Sequence, residues 1–464
     1  MTSVMASGYC RKALHGAESL SFSPTHRIIM TETALQASSQ PPLERTYRRN
    51  FLFFLSDGVL FMVGLGIIGS TTVIPDFVRH LTSSEILIGL SGSLFEVGWT
   101  LPQLFIARYI VRFERKKWWF VGPNIPVRFV VLIFAISVML LGKDRPGAIL
   151  AVFLVCYATA GIGDGIVGVP WADLMGTSVD SRWRARVFGL MSASSGLFML
   201  AASPLIGVIL GENGPGFPNN YALLFGAAGV LFAVSIVPGL FIHELPGGKV
   251  VEKTPSLGEF LPHLGRVLRS DVPFRAIIIA RMLTSLFAMA GPFYIGFATR
   301  QLGLSSQVAV PTLLAMQTIG TVVGALAYTW LGARDNLLYL RLALGGAAIL
   351  PISALLASVV GPLALYFGFL MSGLALSNLF FAYQNWVVTH ATPDQRPIYA
   401  GLFNTVTATI SLLAPFIAGT IAGQIGYEAL FGVALVMVSS ALFVMLRYVT
   451  NLAPNAAPGM AAAD

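Results

Sequence analysis

Long apolar runs alternate with short polar segments from about residue 50 to residue 448 of the chain. A helix that crosses a lipid bilayer needs roughly 20 predominantly apolar residues. On that rule the sequence predicts twelve membrane-spanning helices, at residues 51 to 78, 86 to 107, 118 to 141, 148 to 171, 187 to 210, 220 to 242, 274 to 298, 308 to 332, 338 to 359, 362 to 388, 399 to 423 and 427 to 447.

The distribution of basic residues tests that number independently. Cytoplasmic loops of membrane proteins carry an excess of Lys and Arg. Of the 29 basic residues, only Arg79, Lys143, Arg145 and Arg300 lie in loops that follow odd-numbered spans. Most of the others lie in the tails and in the loops that follow even-numbered spans. This asymmetry predicts that both termini are cytoplasmic, as an even number of spans requires.

The composition fits a multi-pass integral membrane protein, which we expect in the plasma (inner) membrane. Hydrophobic residues make up 55% of the chain and charged residues 11%, and the mean hydropathy is +0.76. A net charge of +8 is compatible with nucleic-acid binding. The cations lie between apolar spans, however, so we expect no nucleic-acid partner. Cys10 and Cys156 are the only cysteines and offer no disulfide framework.

Polar segments divide the chain into domains. Residues 1–49 are rich in Ser, Thr and Pro and lack an apolar core of signal-peptide length, so they predict a disordered cytoplasmic tail. The longest internal polar stretch predicts a cytoplasmic linker at residues 244–272. It separates an N-terminal six-helix bundle at residues 50–243 from a C-terminal six-helix bundle at residues 273–448. Residues 449–464 predict a second disordered cytoplasmic tail.

Similarities between the two halves support this division. The segment V-R-H-L-T-S-S-E at residues 78–85 resembles T-R-Q-L-G-L-S-S-Q at residues 299–307. The pattern W-x8-D-S-R at residues 171–182 corresponds to W-x7-D-Q-R at residues 386–396. Because the two matches have nearly the same offset, they predict parallel repeats related by an axis along the membrane normal.

The loop after the second predicted span carries a family motif. The segment 107–117 reads A-R-Y-I-V-R-F-E-R-K-K and resembles the motif G-x-L-a-D-R-x-G-R-K-K of the major facilitator superfamily. It matches at Arg112, Phe113, Arg115, Lys116 and Lys117 and departs at Ala107, Val111 and Glu114. A weaker copy, L-A-Y-T-W-L-G-A-R, lies at residues 326–334, where the family repeats the motif. Together with the spans, linker and repeats, the chain resembles this superfamily over residues 50 to 448.

The resemblance implies an all-α membrane protein with twelve transmembrane helices in two parallel six-helix repeats. It also implies a secondary active transporter, not an enzyme, that moves a small organic solute by alternating access. We expect the solute, protons and membrane lipids as partners, no cofactor and a monomer. The solute stays open between a sugar-like molecule and an amphiphile or drug exported by antiport. A lipid flippase or scramblase, or a non-transporting receptor, is the alternative from another class.

Three acidic residues within the spans are candidates for proton coupling, because an ionisable group in the hydrocarbon core is costly and needs a reason. They are Glu96, Asp164 and Asp57. Glu96 and Asp164 each lie on a stripe of small and polar residues, which must face other helices or a cavity. The repeat maps them, within about one residue, onto Gln317 and Asn378, and an amide cannot carry the proton that a carboxyl can.

The alternative for these carboxylates is a static ion pair with a buried arginine, Arg128 or Arg281. The resemblance places Asp57 and Arg281 on the two helices that line the central cavity, so an ion pair between them that breaks during transport is a further hypothesis. Cationic, amide and tyrosine side chains on the second half are candidates for solute binding, namely Arg281, Gln317, Asn378, Tyr383, Gln384 and Asn385.

Charged residues at the cytoplasmic ends of the spans are candidates for a gate. The resemblance implies an ion pair between Arg112 and Asp173. Further candidates come from the repeated motif, namely Asp180, Arg182, Asp394 and Arg396. Val111 stands where the family has an acid, and unless Glu114 substitutes for it, removing Arg112 should change transport little. Lys116 and its basic neighbours are expected only to set the topology.

Other motifs predict no enzymatic chemistry. Residues 163–168 spell G-x-G-x-x-G, but the segment lies inside an apolar helix and follows no strand, so it indicates close helix packing and not dinucleotide binding. The six histidines form no pair at helical spacing, and we predict no metal site. The sequence contains no phosphate-binding loop of an ATP-driven pump and no nucleophile elbow of a hydrolase.

Overall fold

The computed structural model describes residues 43–110, 112–245, 269–391 and 396–450, and these residues are almost entirely helical. The helices are α1 (Leu43–Ile68), α2 (Val73–Leu81), α3 (Glu85–Thr100), α4 (Gln103–Ile110), α5 (Lys117–Leu141), α6 (Pro146–Ser178), α7 (Ser181–Leu210), α8 (Asn219–Phe241), α9 (Val272–Ala288), α10 (Phe293–Arg300), α11 (Ser306–Arg334), α12 (Asn336–Ala347), α13 (Ile349–Val360), α14 (Pro362–Leu376), α15 (Leu379–His390), α16 (Arg396–Gln424) and α17 (Tyr427–Tyr448).

These helices correspond to the twelve predicted spans, so the predicted fold class is confirmed. Among the described residues, 11 stretches are long and apolar enough to cross a membrane. The remaining span is the second, which consists of α3 and α4 with a turn at Leu101 and Pro102. Proline lacks a backbone N–H and clashes with the preceding helical turn, which explains the interruption.

Spans one and seven are each broken near their middle, which the predicted continuous helices missed. Span one is interrupted between Ile68 and Val73, and span seven between Ala288 and Phe293. In span one, Gly69 adopts φ +54°, a conformation that glycine accepts without steric cost. The offset that relates Arg79 to Arg300 also superposes the two breaks, so both repeats carry the same irregularity.

The predicted tails and linker lie mostly outside the described residues. This holds for residues 1–42, 246–268 and 451–464. The first helix begins at Leu43, before the predicted start of span one, and so includes the polar residues directly ahead of Phe51. The domain boundaries therefore stay predictions.

Within each half, two helices approach closely at glycines. In the first half, a Cβ atom on Gly161 of α6 would lie 2.7 Å from the carbonyl oxygen of Phe95, and one on Gly165 would clash with the backbone of Trp99. In the second half, Gly320 of α11 faces the backbone of α14 in the same way. Small residues let the backbones of spanning helices approach, so the packing interpretation of Gly161 and Gly165 agrees with the structure.

The two halves meet along two matching pairs of helices. Helix α3 packs against α16, and α7 packs against α11. At both contacts a glycine removes the obstacle to close approach. A Cβ atom on Gly419 would lie 2.5 Å from Ile86 Cα, and one on Gly207 would lie 3.2 Å from the Pro311 ring. The cavity described next lies between these two contacts.

Candidate functional site

A cavity of about 150 Å³ lies between the two halves at the level of the helix breaks. Spans one and two contribute one wall, and spans seven and eleven contribute the other. Its lining mixes polar and apolar side chains, most of them small, with one acid and one base, and consists of Ser70, Thr71, Gly89, Gly92, Ser93, Glu96, Arg281, Ser285, Ala288, Met289, Pro292, Ser411, Ala414 and Pro415. The lining thus brings together one candidate proton carrier and one candidate solute-binding residue.

Glu96 and Arg281 form an ion pair across the two halves. Arg281 Nη2 lies 3.9 Å from Glu96 Oε1. The two side chains differ in burial, because that of Glu96 is 52% exposed and that of Arg281 only 11%. The guanidinium of Arg281 also lies 5.7 Å from the centre of the Tyr383 ring, a cation–π distance. Arg281 is therefore the fixed charge of this cavity, and Glu96 is the solvated one.

A second cavity, of about 100 Å³, adjoins the first. Both cavities are lined by Thr71 and Ala288. The second lies almost wholly within the C-terminal half and is mainly apolar and aromatic, with Phe287, Gly291, Tyr294, Gln317, Leu350, Phe369, Ser372 and Leu376 completing its lining. The hydroxyl of Tyr294 is buried and has no hydrogen-bond partner. Gln317 thus lines this cavity, and its role in solute binding stays a prediction.

Asp57, Arg128 and Asp164 are buried together inside the N-terminal half, away from both cavities. Arg128 Nη1 lies 3.2 Å from Asp164 Oδ1, and its guanidinium lies 4.0 Å from the centre of the Phe61 ring. Trp171 donates its indole N–H to Asp57 Oδ2 at 2.9 Å. Asp164 is therefore paired with Arg128, as Glu96 is with Arg281, and these are the two arginines that the sequence offered as partners.

The ion pair expected between Asp57 and Arg281 is not formed in this structure. Arg281 pairs with Glu96 instead, and Asp57 accepts the hydrogen bond of Trp171. The physical reason is the placement of the helices: α3 presents Glu96 to the cavity, whereas Asp57 lies among buried groups of its own half. The expectation that Arg281 bridges the halves is met with a different acid.

The other candidate solute-binding residues lie around the cavities and not in their linings. Tyr383 is fully buried, and its hydroxyl lies 3.0 Å from Thr284 Oγ1. Gln384 donates to Asn404 Oδ1 at 2.7 Å. Asn378 lies at the break between α14 and α15, where its amide is 3.4 Å from the Ser377 hydroxyl. Asn385 is exposed on α15.

At the end of the bundle that carries residues 112–116, which we call the basic end, the ion pair differs from the expected one. The Asp173 carboxylate pairs with the Lys116 ammonium, whose side chain is 8% exposed. Arg112 is exposed. Glu244 accepts hydrogen bonds from the backbone N–H groups of Lys116 and Lys117 at 2.5 and 3.2 Å and so caps α5. Lys116, assigned only to topology, thus forms the ion pair with Asp173 that was expected of Arg112, and the Glu244 cap fixes its backbone beside α6.

The remaining gate candidates come from the repeated D-x-R motif. Asp180 is half-buried between α6 and α7. Arg182 falls in the first turn of α7, and Arg396 begins α16. Asp394 lies outside the described residues. Their gate role stays a prediction.

At the opposite end, which we call the Glu85 end, four side chains join the two halves. Glu85 Oε1 lies 3.1 Å from Arg79 Nη1 and 2.8 Å from Arg300 Nη1, and it accepts a hydrogen bond of 2.9 Å from the Tyr427 hydroxyl. Sequence reasoning missed this cluster. Glu85 aligns with Gln307 in the repeat, the same acid-to-amide difference that singled out Glu96, so the signal was present.

A second cross-half contact at the Glu85 end involves Asp76. This carboxylate is buried and accepts hydrogen bonds from the Tyr221 hydroxyl at 2.6 Å and from the Ser306 hydroxyl at 3.1 Å. Tyr221 belongs to the N-terminal half and Ser306 to the C-terminal half. Polar contacts between the halves therefore concentrate at the Glu85 end among the described residues.

Asp271, just before α9, anchors a cluster at the basic end of the C-terminal half. Its carboxylate caps α9 by accepting from the Phe274 N–H at 2.9 Å, and its Oδ2 lies 2.8 Å from both His390 Nε2 and the Tyr399 hydroxyl. Burial raises the pKa of Asp271, but the hydrogen bonds from these three groups outweigh burial and hold the pKa below its ordinary value.

No group of three or more His, Cys, Asp and Glu side chains that could hold a metal ion occurs among the described residues. The site consists of one cavity between the two helical halves, with an ion pair across it, and an adjoining cavity within the C-terminal half. A polar cavity between two helical repeats is typical of membrane transporters.

Comparison with known proteins gives the family. Residues 58–411 match the model of the Major Facilitator Superfamily, so the chain belongs to that superfamily and is a transporter, not an enzyme. No curated protein matches the chain in sequence.

Several solved transporters share the fold. A variant of the nucleoside transporter NupG matches with a TM-score of 0.62 at 14% identity, covering 85% of this chain and 98% of that one. The human organic anion transporter MFSD10 matches with a TM-score of 0.59 at 17% identity, covering 88% and 100%. A bacterial homologue of the iron transporter ferroportin, in its outward-facing state, matches with a TM-score of 0.60 at 15% identity, covering 86% and 98%. At these identities the likeness establishes the fold alone.

Proposed function

We propose that this protein is a proton-coupled secondary transporter of a small organic solute, and that Glu96 carries the coupling proton. The observation that supports this most is the ion pair between Glu96 and Arg281 in the lining of the cavity. The pair joins the two halves that move against each other in alternating access. A change in its charge therefore acts on both the solute site and the conformational equilibrium.

Glu96 fits a proton carrier because its side chain is half-exposed in the cavity. Water in the cavity can deliver a proton to it, whereas the guanidinium of Arg281 is nearly enclosed by protein. Protonation of Glu96 removes the attraction across the cavity and leaves the guanidinium for another partner. Asp164 and Asp57 are weaker candidates because both are buried and neither lines the cavity, so its water does not reach them.

Orientation follows from the positive-inside rule, with the basic end and both termini facing the cytoplasm of the plasma membrane. The contacts of Glu85 and Asp76 then close the extracellular side in this structure. Transport requires these contacts to break while others form at the basic end. A monomer suffices for this cycle because both halves belong to one chain.

Proteoliposomes with a trapped pH indicator test the proposal. A solute found by screening should drive proton movement in vesicles with the wild-type protein. Glu96→Gln should abolish proton-coupled accumulation while solute exchange continues, because exchange needs no net proton transfer. Glu114→Gln makes the same chemical change on an exposed loop and should leave coupling intact.

Two results would contradict the proposal. One is full proton-driven accumulation by Glu96→Gln. The other is movement of fluorescent lipid in the same vesicles without any solute flux, which would favour the flippase or scramblase alternative.

A further inference from the structure

Arg281 carries a positive charge that is nearly enclosed by protein. Its side chain is 11% exposed, and its Nε atom is buried without a hydrogen-bond partner. Glu96 is the acid paired with it among the described residues. A buried cation without a counterion is costly, so a neutral Glu96 creates a demand for another anion beside Arg281.

Other charged or titratable groups on the neighbouring helices do not meet that demand. Those described on helices packed against α3 or α9 have contacts elsewhere or stack on aromatic rings. They are Asp76 with Tyr221, Arg79 with Glu85, His80 with Phe217, Tyr109 with Phe113, Tyr157 with Phe153, Asp164 with Arg128, Asp173 with Lys116, Arg275 with the Arg269 carbonyl, Tyr383 with Thr284, His390 and Tyr399 with Asp271, Tyr427 with Glu85, Glu428 with Ser358 and Arg447 with Tyr448. Cys156 lines a separate small cavity.

The two helix breaks add positive potential at the same place. Helices α2 and α10 begin at Val73 and Phe293, next to the lining residues Thr71 and Pro292, and neither N-terminus has a side-chain cap hydrogen bond. The N-terminus of a helix carries a partial positive charge that favours anions, and interrupted spanning helices use it at solute sites. Turn hydrogen bonds engage Gly69 O and Ala288 O of the preceding half-helices, and they also engage the N–H groups of Ile74 and Phe293 in the first turns of α2 and α10.

The volume and lining of the second cavity limit the size and polarity of the part of the solute that does not contact Arg281. It measures about 100 Å³ and is lined mainly by Phe, Leu and Tyr side chains. A cavity of about 150 Å³ with apolar walls accommodates one benzene molecule. The second cavity therefore fits a branched alkyl group of four or five carbons or a closely packed ring. Because Thr71 and Ala288 border both cavities, one molecule can extend from Arg281 into the second cavity.

We propose that the solute is a small organic monoanion whose anionic group binds Arg281 when Glu96 is protonated and whose short apolar body fills the second cavity. This inference rests on the proposed function and names its substrate class. One proton on Glu96 and one negative charge on the solute cross together, so the transported charge balances and the cycle is electroneutral. A sugar offers no charge for Arg281, and a cationic drug is repelled by it.

Binding to the purified full-length protein tests the inference without requiring transport. The probes share one skeleton and differ in charge: 4-methylpentanoate, 4-methylpentanamide and 4-methylpentylamine. A bound probe raises the melting temperature in proportion to the logarithm of its concentration over its Kd. We expect the carboxylate alone to stabilise the protein.

Glu96→Gln mimics the protonated acid and should bind the carboxylate about tenfold tighter than the wild type at pH 7.5, because a competing ion pair is lost. Arg281→Gln should bind it about tenfold or more weakly. Equal binding of the carboxylate and the amide by Glu96→Gln, or weaker carboxylate binding by Glu96→Gln than by the wild type, overturns the inference. Carboxylate binding by Glu96→Gln tests the inference even if Arg281→Gln does not fold.

A pair of matched variants tests whether the apolar body of the solute binds in the second cavity. Leu376→Phe fills the second cavity and should weaken 4-methylpentanoate binding about tenfold while leaving acetate binding unchanged. Leu363→Phe makes the same change on the same segment at a side chain that is 77% exposed and should have no effect. Equal effects of the two variants would contradict a role for the second cavity.

Failure of the inference and failure of the proposed function give different results. If none of the three probes binds but another solute is accumulated with protons, the substrate class is wrong and the transporter proposal stands. If 4-methylpentanoate binds as expected but wild-type vesicles move it without protons, the coupling proposal is wrong. Carboxylate transport that changes with an imposed membrane potential contradicts the electroneutral cycle.

Discussion

The carboxylate of Glu85 lies 2.8 Å from the guanidinium of Arg300, which belongs to the other half of the chain. Arg79 and Tyr427 contact the same carboxylate oxygen, so two arginines from opposite halves share one acid. Glu85 and Arg79 are largely buried, whereas Arg300 is about half-exposed. Removing the shared acid would leave two like charges close together and would favour separation of the halves at this end.

Glu85→Gln should therefore shift the protein toward conformations open at the Glu85 end. Removal of one partner of a buried ion pair costs about 3 kcal/mol, and half of that cost would already change the open-to-closed ratio about tenfold. The measurement is the labelling rate of Ser93→Cys in the cavity, in a variant without native cysteines, by a membrane-impermeant thiol reagent added at the Glu85 end. The rate should rise about tenfold.

Glu212→Gln is the matched control for that experiment. Glu212 is an exposed acid in the loop between α7 and α8, at the same end of the bundle. Its neutralisation should leave the labelling rate within about twofold, because exposed charges contribute little. Equal labelling of the Glu85 variant and the wild type would show that the cluster does not hold the halves together.

Lys116 should matter more than Arg112 at the basic end. Lys116→Gln leaves Asp173 without its partner, whereas Arg112→Gln removes an exposed charge. In a double-mutant cycle on thermal unfolding, Lys116→Gln and Asp173→Asn should be non-additive by about 1 kcal/mol. The same cycle with Arg112 should show additivity within about 0.3 kcal/mol. A larger coupling energy between Arg112 and Asp173 would favour the ion pair that the family resemblance implies.

The sequence predicts the twelve spans because each must satisfy its backbone hydrogen bonds within one helix and present apolar side chains to lipid, which requires a long apolar run. The breaks at residues 69–72 and 289–292 are not visible in that signal, since Ser, Thr, Gly and Ala are common inside continuous spanning helices. The repeat could have indicated them jointly, because Gly69 and Pro292 fall at nearly corresponding positions. The interruption at Pro102 is also compatible with a kinked continuous helix, so its form could not be predicted.

The site is less accessible to sequence reasoning than the fold. Charge inside apolar spans singles out Glu96 and Arg281, because such groups are costly. Their pairing cannot be deduced, since Asp57 lies at a similar depth and helical periodicity gives a face and not the identity of the helix opposite. Tyr294 and Thr71 are uncharged and typical of spans, so only the packing of several helices reveals them as cavity residues.

Acid should destabilise the C-terminal half through Asp271, which lies outside the spans. Its pKa is lowered in the folded state, so the folded protein binds its proton less readily than the unfolded chain does. The stabilisation is complete above the unfolded value of about 3.9 and is lost as the pH falls through the lower folded pKa. The wild-type melting temperature should therefore fall more steeply below about pH 4 than that of Asp271→Asn.

Tyr399→Phe refines the same measurement. Loss of its hydroxyl removes one of the hydrogen bonds that lower the Asp271 pKa. The loss of stability should therefore still begin near about pH 4, but it should end at a higher pH and be smaller in total than in the wild type, while remaining larger than in Asp271→Asn. Identical pH profiles of all three proteins would contradict the role of Asp271.

The close contact between α3 and α6 predicts a strong effect of a single methyl group. A Cβ atom at Gly165 would clash with the backbone of Trp99, which cannot move away as a side chain can. Gly165→Ala should therefore destabilise the protein by about 1–3 kcal/mol and lower its melting temperature. Gly176→Ala on the same helix adds its methyl group to open space and should be neutral or stabilising, because alanine favours helix by about 1 kcal/mol. If Gly165→Ala were as stable as Gly176→Ala, α3 and α6 would lie further apart than their backbones indicate.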